Sequence, residues 1–158
     1  MVEVEIVGLA KAGADPAAGA ALAAAGGRAA GSDRAAGAEL PSPREVRRLA
    51  RSAAHCADIA AGHLAIEFVD EQRIAKLNRE HRGMDTATDV LSFPVDGGEP
   101  IDAWLPREIG DVVICTERCR DVREAIVHGV LHLVGFDHEI DEGQMLATQR
   151  AILQPPAK

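Results

Sequence analysis

The chain has 158 residues, of which 47% are hydrophobic and 27% are charged, and its formal net charge is −8. This length has room for one domain with a single core. The acidic balance argues against a general nucleic-acid coat protein, although a metal ion and a few arginines can hold phosphate inside an acidic protein. No apolar stretch reaches the roughly 20 residues that span a bilayer, and the acidic N-terminus differs from a signal peptide. We therefore expect no membrane partner.

Three cysteines are present: Cys56, Cys115 and Cys119. Their odd number and the lack of a Cys-x-x-Cys pair argue against a disulfide scaffold and predict a reducing, cytoplasmic compartment. The spacing of Cys115 and Cys119 could suit a metal. We prefer a structural interpretation, because Cys115 ends an apolar strand, where a buried thiol acts as a small hydrophobic group.

The first third of the chain contains one predicted strand, one low-complexity segment and one predicted helix. Residues 2–7 alternate apolar and acidic side chains, which indicates a half-buried strand. Residues 8–39 are largely alanine and glycine, so we predict an insertion with too little apolar surface to offset its ordering entropy. Ser42 as N-cap and Pro43 at the first helical position predict a helix that runs to about residue 60.

This helix carries four arginines on a face separate from its apolar side chains: Arg44, Arg47, Arg48 and Arg51. A solvated surface accounts for such a stripe. We prefer that interpretation to the alternative of a ridge that contacts RNA.

The rest of the chain alternates apolar runs with turn residues. The predicted elements are a strand at 64–69, a helix from Asp70 to about 80, a strand at 89–93, a loop at 95–108, a strand at 111–115, and helices at 117–134 and 140–153. We expect Ile74 and Leu77 to face inward. The order predicts an α/β (α+β) fold in a single domain, with a small mixed sheet of about four strands and helices packed on it.

Three histidines near the C-terminus predict a metal site. His128 and His132 lie four apart on the predicted helix at 117–134, so both point to one face. Gly135 lets the chain reverse, which can bring His138 to the same point. Three neutral imidazoles with an open fourth position are typical of a catalytic zinc site. The residue after the first histidine is Gly129, whereas the zinc-protease pattern requires glutamate there, so proteolysis is the weaker hypothesis.

The stretch His-Gly-Val-Leu-His-Leu-Val-Gly-Phe-Asp-His at 128–138 resembles the signature of the YbeY family, single-strand-specific metallo-endoribonucleases of ribosomal RNA maturation. Two further stretches are similar to family motifs. One is Leu77-Asn78 through Arg82 followed by Thr88-Asp-Val-Leu-Ser-Phe-Pro94, and the other is Gly110-Asp-Val-Val-Ile-Cys115. Together the matches cover most of residues 63–153, in the family's order.

The resemblance implies a YbeY-like metallohydrolase domain over residues 1–158 that binds one Zn²⁺ through His128, His132 and His138. The implied activity is zinc-dependent, single-strand-specific endoribonuclease action in 16S rRNA 3′-end maturation and ribosome quality control. The implied partners are single-stranded ribosomal RNA and the ribosome or its small-subunit proteins, in the cytoplasm and without DNA. The implied catalytic residues are His128, His132 and Arg82, which occupies the position of the family's motif arginine.

Other candidate residues have less specific roles. Arg79 and Ser92 are candidates for substrate binding beside Arg82, and Asp137 and Asp89 for orienting a ligand imidazole or capping a turn. The proton-transfer group stays open among water and three carboxylates: Glu139, Asp137 and Asp89. A basic rim that guides RNA to the metal is predicted from four cations: Arg73, Lys76, Arg79 and Arg82.

Two alternatives to the nuclease stay open: a non-catalytic zinc-containing ribosome assembly factor, and a metallohydrolase of another substrate. The first gains support if a fourth protein ligand completes the site, with Asp137, Glu139 and Cys119 as candidates. The chain also differs from the family, because its segment between Cys115 and His128 is short. We expect this difference to change the wall of the active-site cleft.

Overall fold

The computed structural model describes residues 1–9, 39–96, 102, 105 and 107–155. It contains one four-stranded sheet, with β1 at Val2–Val7, β2 at Gly62–Val69, β3 at Val90–Pro94 and β4 at Glu108–Cys115. Within the described residues, the sheet is accompanied by α1 at Pro43–His55, α2 at Glu71–Arg82, α3 at Val122–Leu133 and α4 at Gln144–Leu153. The strand order is β1-β2-β4-β3, in which β3 is antiparallel to β4 and the other neighbours are parallel. The predicted mixed sheet and α/β class are confirmed.

The main core lies between one face of the sheet and the layer of α1, α3 and α4. In β1 and β2 every second side chain is buried or half-buried against these helices, as the period of a strand requires. Ile66 of β2 and Val112 of β4 are register partners at the centre of this face, and both are fully buried. They belong to the same buried cluster as the helix residues Leu49 and Ile126, so the layer that carries the histidines is anchored on the sheet.

The opposite face of the sheet is covered by α2 over β3 and β4. Ile74 and Leu77 of this helix form a second apolar cluster with Leu91, Val113 and Cys115, which confirms their predicted inward direction. Cys115 is fully buried at the end of β4, as expected of a structural thiol. The helix therefore holds its C-terminal end, with Arg82, beside β3.

Local side-chain caps begin both early helices as predicted. Ser42 Oγ accepts a hydrogen bond from Glu45 N at 3.2 Å, and Pro43 is the first residue of α1. Asp70 Oδ1 accepts from Arg73 N at 2.8 Å at the start of α2. Because these caps satisfy backbone groups within three residues, they are readable from sequence.

The arginine stripe of α1 divides into two pairs. Arg47 and Arg51 donate to the backbone carbonyls of Pro43 and Val2, at 3.4 and 2.9 Å. Arg44 and Arg48 are exposed. The stripe therefore combines two solvated side chains with two that contact the protein's own backbone.

Element boundaries differ from the sequence prediction where tertiary pairing decides them. Helix α1 ends at His55 rather than near residue 60, and a turn with Asp58 at φ 59° follows. Strand β4 begins at Glu108 rather than at 111, inside the predicted loop, because Glu108 pairs with His63 and Gly110 with Pro94. The strand begins with polar residues and a glycine, so its first three residues do not form the apolar run that indicates a buried strand.

The two C-terminal helices also begin later than predicted. The predicted helix at 117–134 is a 3-10 turn at Thr116–Arg118 followed by α3 from Val122, whose N-cap Asp121 accepts from Arg123 N at 2.8 Å. Helix α4 begins at Gln144 rather than at 140, because Asp141 accepts from the backbone N–H of Gly143 and Met145. In both places an aspartate, Asp121 or Asp141, accepts backbone hydrogen bonds in a turn, and the helix begins only after it.

Of the predicted insertion at 8–39, the structure describes only residues 8, 9 and 39, so this expectation lies outside the described residues. None of the helices in the described part of the chain is long and apolar enough to cross a membrane.

Candidate metal centre

Helix α3 presents His128 and His132 on one face. The apolar residues between and beside them are buried: Val130, Leu131, Leu133 and Val134. These side chains anchor the helix, while both imidazoles stay half-buried and accessible from one side. The predicted inward direction of these four apolar side chains is confirmed.

Gly129 brings α3 unusually close to the sheet. A Cβ atom at this position would lie 2.4 Å from Val112 Cγ1 and 3.2 Å from Val90 Cγ2. Ser92 Oγ of β3 also donates a hydrogen bond to the Gly129 carbonyl at 3.0 Å. The missing side chain therefore sets the ligand helix against β3, and it gives a steric reason why no glutamate general base stands after the first histidine.

Gly135 reverses the chain after α3. Its φ of +99° lies in the region that favours glycine. The carbonyl of Leu131 accepts from Phe136 N at 3.0 Å, which closes the turn. The reversal returns His138 to the two helical histidines, as predicted.

The three imidazoles converge on one point. Their ligand atoms lie within 4.8 Å of one another, and the ring centroids are 4.7 to 5.2 Å apart. The Nε2 atoms of His128 and His132 are 3.1 Å apart. Two imidazole nitrogens on one tetrahedral zinc, each at its usual bond length, would be about 3.3 Å apart. The donor set and its spacing therefore fit a divalent ion such as zinc.

His132 is held in the protonation state that a ligand needs. Burial lowers its pKa below the ordinary histidine value, and the neighbouring His128 and His138 lower it further. A neutral imidazole has the lone pair that a metal requires. The lowered pKa of His132 therefore favours the neutral form of this ring, which can bind a cation.

Among the described residues, the group that could hold a metal contains these three histidines and no carboxylate or cysteine. Cys119 Sγ instead donates to the Cys115 carbonyl at 3.2 Å, and burial raises the pKa of this thiol to about 12. Asp137 accepts from Glu139 N at 2.9 Å in the turn before the third histidine. Three ligands with an open side are typical of catalytic zinc rather than structural zinc.

The histidines form one wall of a cleft of about 810 Å³. Strand β3 and the residues before it form the opposite wall, and the C-terminal end of α2 contributes His81 and Arg82. Arg82 has no ion pair or hydrogen bond with any described residue, so its guanidinium is available to a ligand in this cleft. Asp137 and Glu139 line the same cleft.

Two candidate residues, Ser92 in β3 and Asp89 just before it, lie at this wall but have structural partners. Ser92 donates to Gly129, as described above. Asp89 accepts from Val90 N at 2.9 Å and from Thr88 Oγ1 at 3.2 Å, so it caps the turn before the strand.

The other cations of α2 do not line the cleft that contains the histidines. Arg79 Nη1 is 3.8 Å from Asp85, and Lys76 is 3.9 Å from Glu80. Arg73 lies by a separate depression beside β2. Of the four predicted rim cations, Arg82 is the one that the described structure places with the histidines.

A second, smaller cavity of about 330 Å³ lies beside His128. It is lined by the short segment before α3, including Arg118, Cys119 and Arg120, and it shares Asp89 and Val90 with the main cleft. The connection between Cys115 and His128 therefore borders the site directly.

Two residues near the histidines were not identified from the sequence. His81 lines the cleft, with its ring 4.8 Å from that of Phe93. Gln149 of α4 is buried and lies 3.0 Å from His128 Nδ1. Gln149 could have been recognised from its position four residues after Met145, because this spacing places a polar side chain on the apolar face of the helix.

The residues of this site lie within a stretch of the chain that matches a known family. A family model described as Endoribonuclease YbeY matches residues 41–156. The Endoribonuclease YbeY of Halalkalibacterium halodurans is 36% identical over 130 residues, covering 68% of this chain and 82% of that protein. The Endoribonuclease YbeY of Bacillus cytotoxicus is 38% identical over 128 residues, with coverage of 68% and 82%.

A solution structure of TM1509 from Thermotoga maritima is similar with a TM-score of 0.47 at 20% identity, covering 96% of this chain and 86% of that one. The family match rests on the sequence relatives and includes the whole histidine stretch at 128–138. The chain belongs to the Endoribonuclease YbeY family.

Proposed function

We propose that this chain is a zinc-dependent, single-strand-specific endoribonuclease that acts in 16S rRNA 3′-end maturation and ribosome quality control. The observation that carries the proposal is the convergence of three imidazoles on one side of a cleft that also contains Arg82, which is unpaired among the described residues. Family membership supports the nuclease chemistry. We propose His128, His132 and His138 as the zinc ligands.

When bound, zinc supplies Lewis-acid stabilisation of developing negative charge and a source of hydroxide near neutral pH. The chain's own residues have separate tasks. We propose that Arg82, which lines the cleft, binds the phosphate oxygens with its planar guanidinium. The half-buried rings of Phe93 and Phe136 line the same cleft and offer apolar surface to a base.

The proton-transfer group is proposed among the carboxylates that line the cleft. Glu139 is exposed and follows the third histidine, and its side chain has no hydrogen bond within the described structure. Asp89 and Asp137 each use a carboxylate oxygen in a local turn. We therefore favour Glu139, with water as the alternative, because a proton carrier needs a free oxygen within reach of the substrate.

A single strand is the substrate that this cleft favours. A strand with unstacked bases can place one phosphate between the histidines and Arg82 while a base contacts a phenyl ring. Few aromatic groups line the cleft, so weak sequence preference follows. We propose ribosomal RNA, with the ribosome or its small-subunit proteins as partners in the cytoplasm, from the family to which the chain belongs.

The test compares cleavage of a single-stranded RNA by the parent protein and by His132→Ala, with chelator and after zinc is restored. We expect cleavage only by the zinc-loaded parent. His55→Ala is the matched control, because His55 is an exposed histidine of α1 far along the chain from the site. Equal cleavage by parent and His132→Ala would reject the nuclease. Zinc binding without cleavage by the parent would favour the non-catalytic assembly factor.

A further inference from the structure

Gln149 is one of two polar side chains that are buried in the described part of the chain, with 4% of its surface exposed. Its Oε1 atom lies 3.0 Å from His128 Nδ1. Its Nε2 atom lies 3.0 Å from Glu124 Oε1, which is one helical turn before His128 on α3. The amide therefore links a surface carboxylate to a proposed zinc ligand.

The direction of these hydrogen bonds follows from the chemistry of the groups. A carboxylate only accepts, so the amide N–H of Gln149 must face Glu124. The carbonyl oxygen of the same amide then faces His128, and a carbonyl also only accepts. His128 Nδ1 must consequently carry the proton, which leaves the lone pair of the neutral ring on Nε2.

The His128 Nε2 atom is the one that faces the other histidines. It lies 3.1 Å from His132 Nε2, on the side where the three ligands converge. The tautomer that Gln149 selects is thus the one that can coordinate a metal at this point. A wrong tautomer would direct an N–H at the ion.

Packing keeps the amide in place. Helix α4 packs against α3 and α1, and Met145, one turn before Gln149, is fully buried in the main core. A buried amide that rotated away would lose two hydrogen bonds without access to water. Gln149 is therefore held in one orientation from both ends.

We propose that Gln149 is a positioning residue of the metal centre, which holds His128 in its Nδ1-protonated tautomer and thereby extends the site to α4. The proposal rests on the proposed metal site, but the tautomer that it requires exists without metal or RNA. Partners of this kind typically change metal affinity by about 10- to 100-fold.

The first experiment measures zinc affinity by competition with a chromophoric chelator for the parent, Gln149→Met and Gln149→Glu. Methionine fills similar space but accepts no useful hydrogen bond, so we expect zinc binding about 10- to 100-fold weaker. Glutamate keeps an acceptor toward His128 but loses the donor to Glu124, so Gln149→Glu is combined with Glu124→Gln, which restores that donor from the other side. We expect this double variant to bind zinc within a few-fold of the parent. Gln144→Met is the matched control, because Gln144 is exposed on the same helix.

Thermal unfolding of the metal-free proteins separates positioning from folding. If Gln149→Met unfolds early, Glu124→Leu provides a second variant, which removes the carboxylate that orients the amide while Gln149 stays in place. We expect a smaller loss of zinc affinity from this change than from Gln149→Met, with metal-free stability close to that of the parent. Parent-like zinc affinity in both variants would overturn the proposal.

The second experiment assigns the His128 tautomer in the metal-free parent by long-range ¹H–¹⁵N NMR, at about pH 8, where imidazoles are largely neutral. We expect protonated Nδ1 in the parent and a mixture of tautomers in Gln149→Met. Protonated Nε2 in the parent would overturn the proposal. Since this readout needs neither zinc nor RNA, its outcome is independent of whether the chain cleaves RNA.

Discussion

At the scale of single residues, the absence of a side chain at Gly129 has as much influence on the site as the histidines beside it. In an ordinary helix, alanine is preferred to glycine by about 1 kcal/mol. Here the added methyl would meet Val112 Cγ1 at 2.4 Å, inside a close-packed core. The steric cost exceeds the gain in helix propensity, so the helix can carry its ligands against β3 only with glycine.

We therefore predict that Gly129→Ala lowers the free energy of unfolding by about 1–3 kcal/mol, the usual range for overpacking. Urea denaturation measures it. The double-mutant cycle with Val112→Ala is the control, because removing the valine methyls makes room for the new one. We expect the double variant to be more stable than the sum of the two single effects predicts, whereas simple additivity would show that the contact is not the cause.

The presence or absence of an ion pair distinguishes Arg82 from another arginine of α2. Its neighbour one turn earlier, Arg79, has a carboxylate partner at 3.8 Å, and Arg82 has none among the described residues. An unpaired guanidinium in a cleft with three imidazoles is suited to phosphate. The two arginines on one helix therefore form a matched pair for mutation.

We predict that Arg82→Ala lowers kcat/KM for single-stranded RNA by about 10²- to 10³-fold, the range seen when one transition-state donor is removed. Arg82→Lys should recover only part of this loss, because an ammonium lacks the planar fork. Arg79→Ala should change the rate less than a few-fold. Equal losses for both alanine variants would mean that general positive charge on α2, rather than a specific phosphate contact, supports cleavage.

At the scale of secondary-structure elements, a histidine in β2 contacts a glutamate in each of the two neighbouring strands. His63 Nδ1 is 2.9 Å from Glu108 of β4, and His63 Nε2 is 3.4 Å from Glu5 of β1. The hydrogen bond to Glu108 raises the pKa of His63 above its ordinary value, and the charges of Glu5 and Glu3 add to this effect. The protonated ring thus favours the paired strands.

The sign of the pH dependence follows from that raised pKa. A group with a higher pKa in the folded state stabilises fully below its unfolded value, near 6.5, and loses this contribution as pH rises through the folded value. We predict that the stability difference between the parent and His63→Gln shrinks between pH 6 and pH 8, as measured by urea unfolding. The ring is partly exposed, so the effect is small. His55→Gln is the control, and a difference independent of pH would contradict the prediction.

Elements that depend on local contacts could be predicted from the sequence. Ser42 and Asp70 satisfy backbone groups within three residues, and both helix starts were found. The start of β4 was not, because Glu108 joins the sheet through a partner 45 residues away. Likewise, the histidines at helical spacing were identified as a cluster, while the contact of Gln149 with His128 depends on how α4 packs, 21 residues along the chain.

At the scale of the whole molecule, the net charge of −8 opposes the binding of RNA. Within the cleft, three carboxylates stand against one arginine: Asp89, Asp137 and Glu139 against Arg82. A bound divalent ion would bring two positive charges to this acidic surface. The proposed zinc would therefore supply much of the attraction for phosphate, in addition to its role in chemistry.

We predict that removing zinc weakens the binding of a short single-stranded RNA at least tenfold and makes its salt dependence shallower, as measured by fluorescence anisotropy. Each phosphate contact contributes about −0.7 to the slope of log K against log salt for single strands, so loss of a contact at the metal is visible in that slope. The predicted rim of Arg73, Lys76, Arg79 and Arg82 gives the opposite expectation, because those cations remain when zinc is removed. Unchanged affinity and slope after chelation would mean that the surface of α2 holds the RNA. In that case the double variant Arg79→Gln and Lys76→Gln would abolish RNA binding, and His132→Ala would leave it intact.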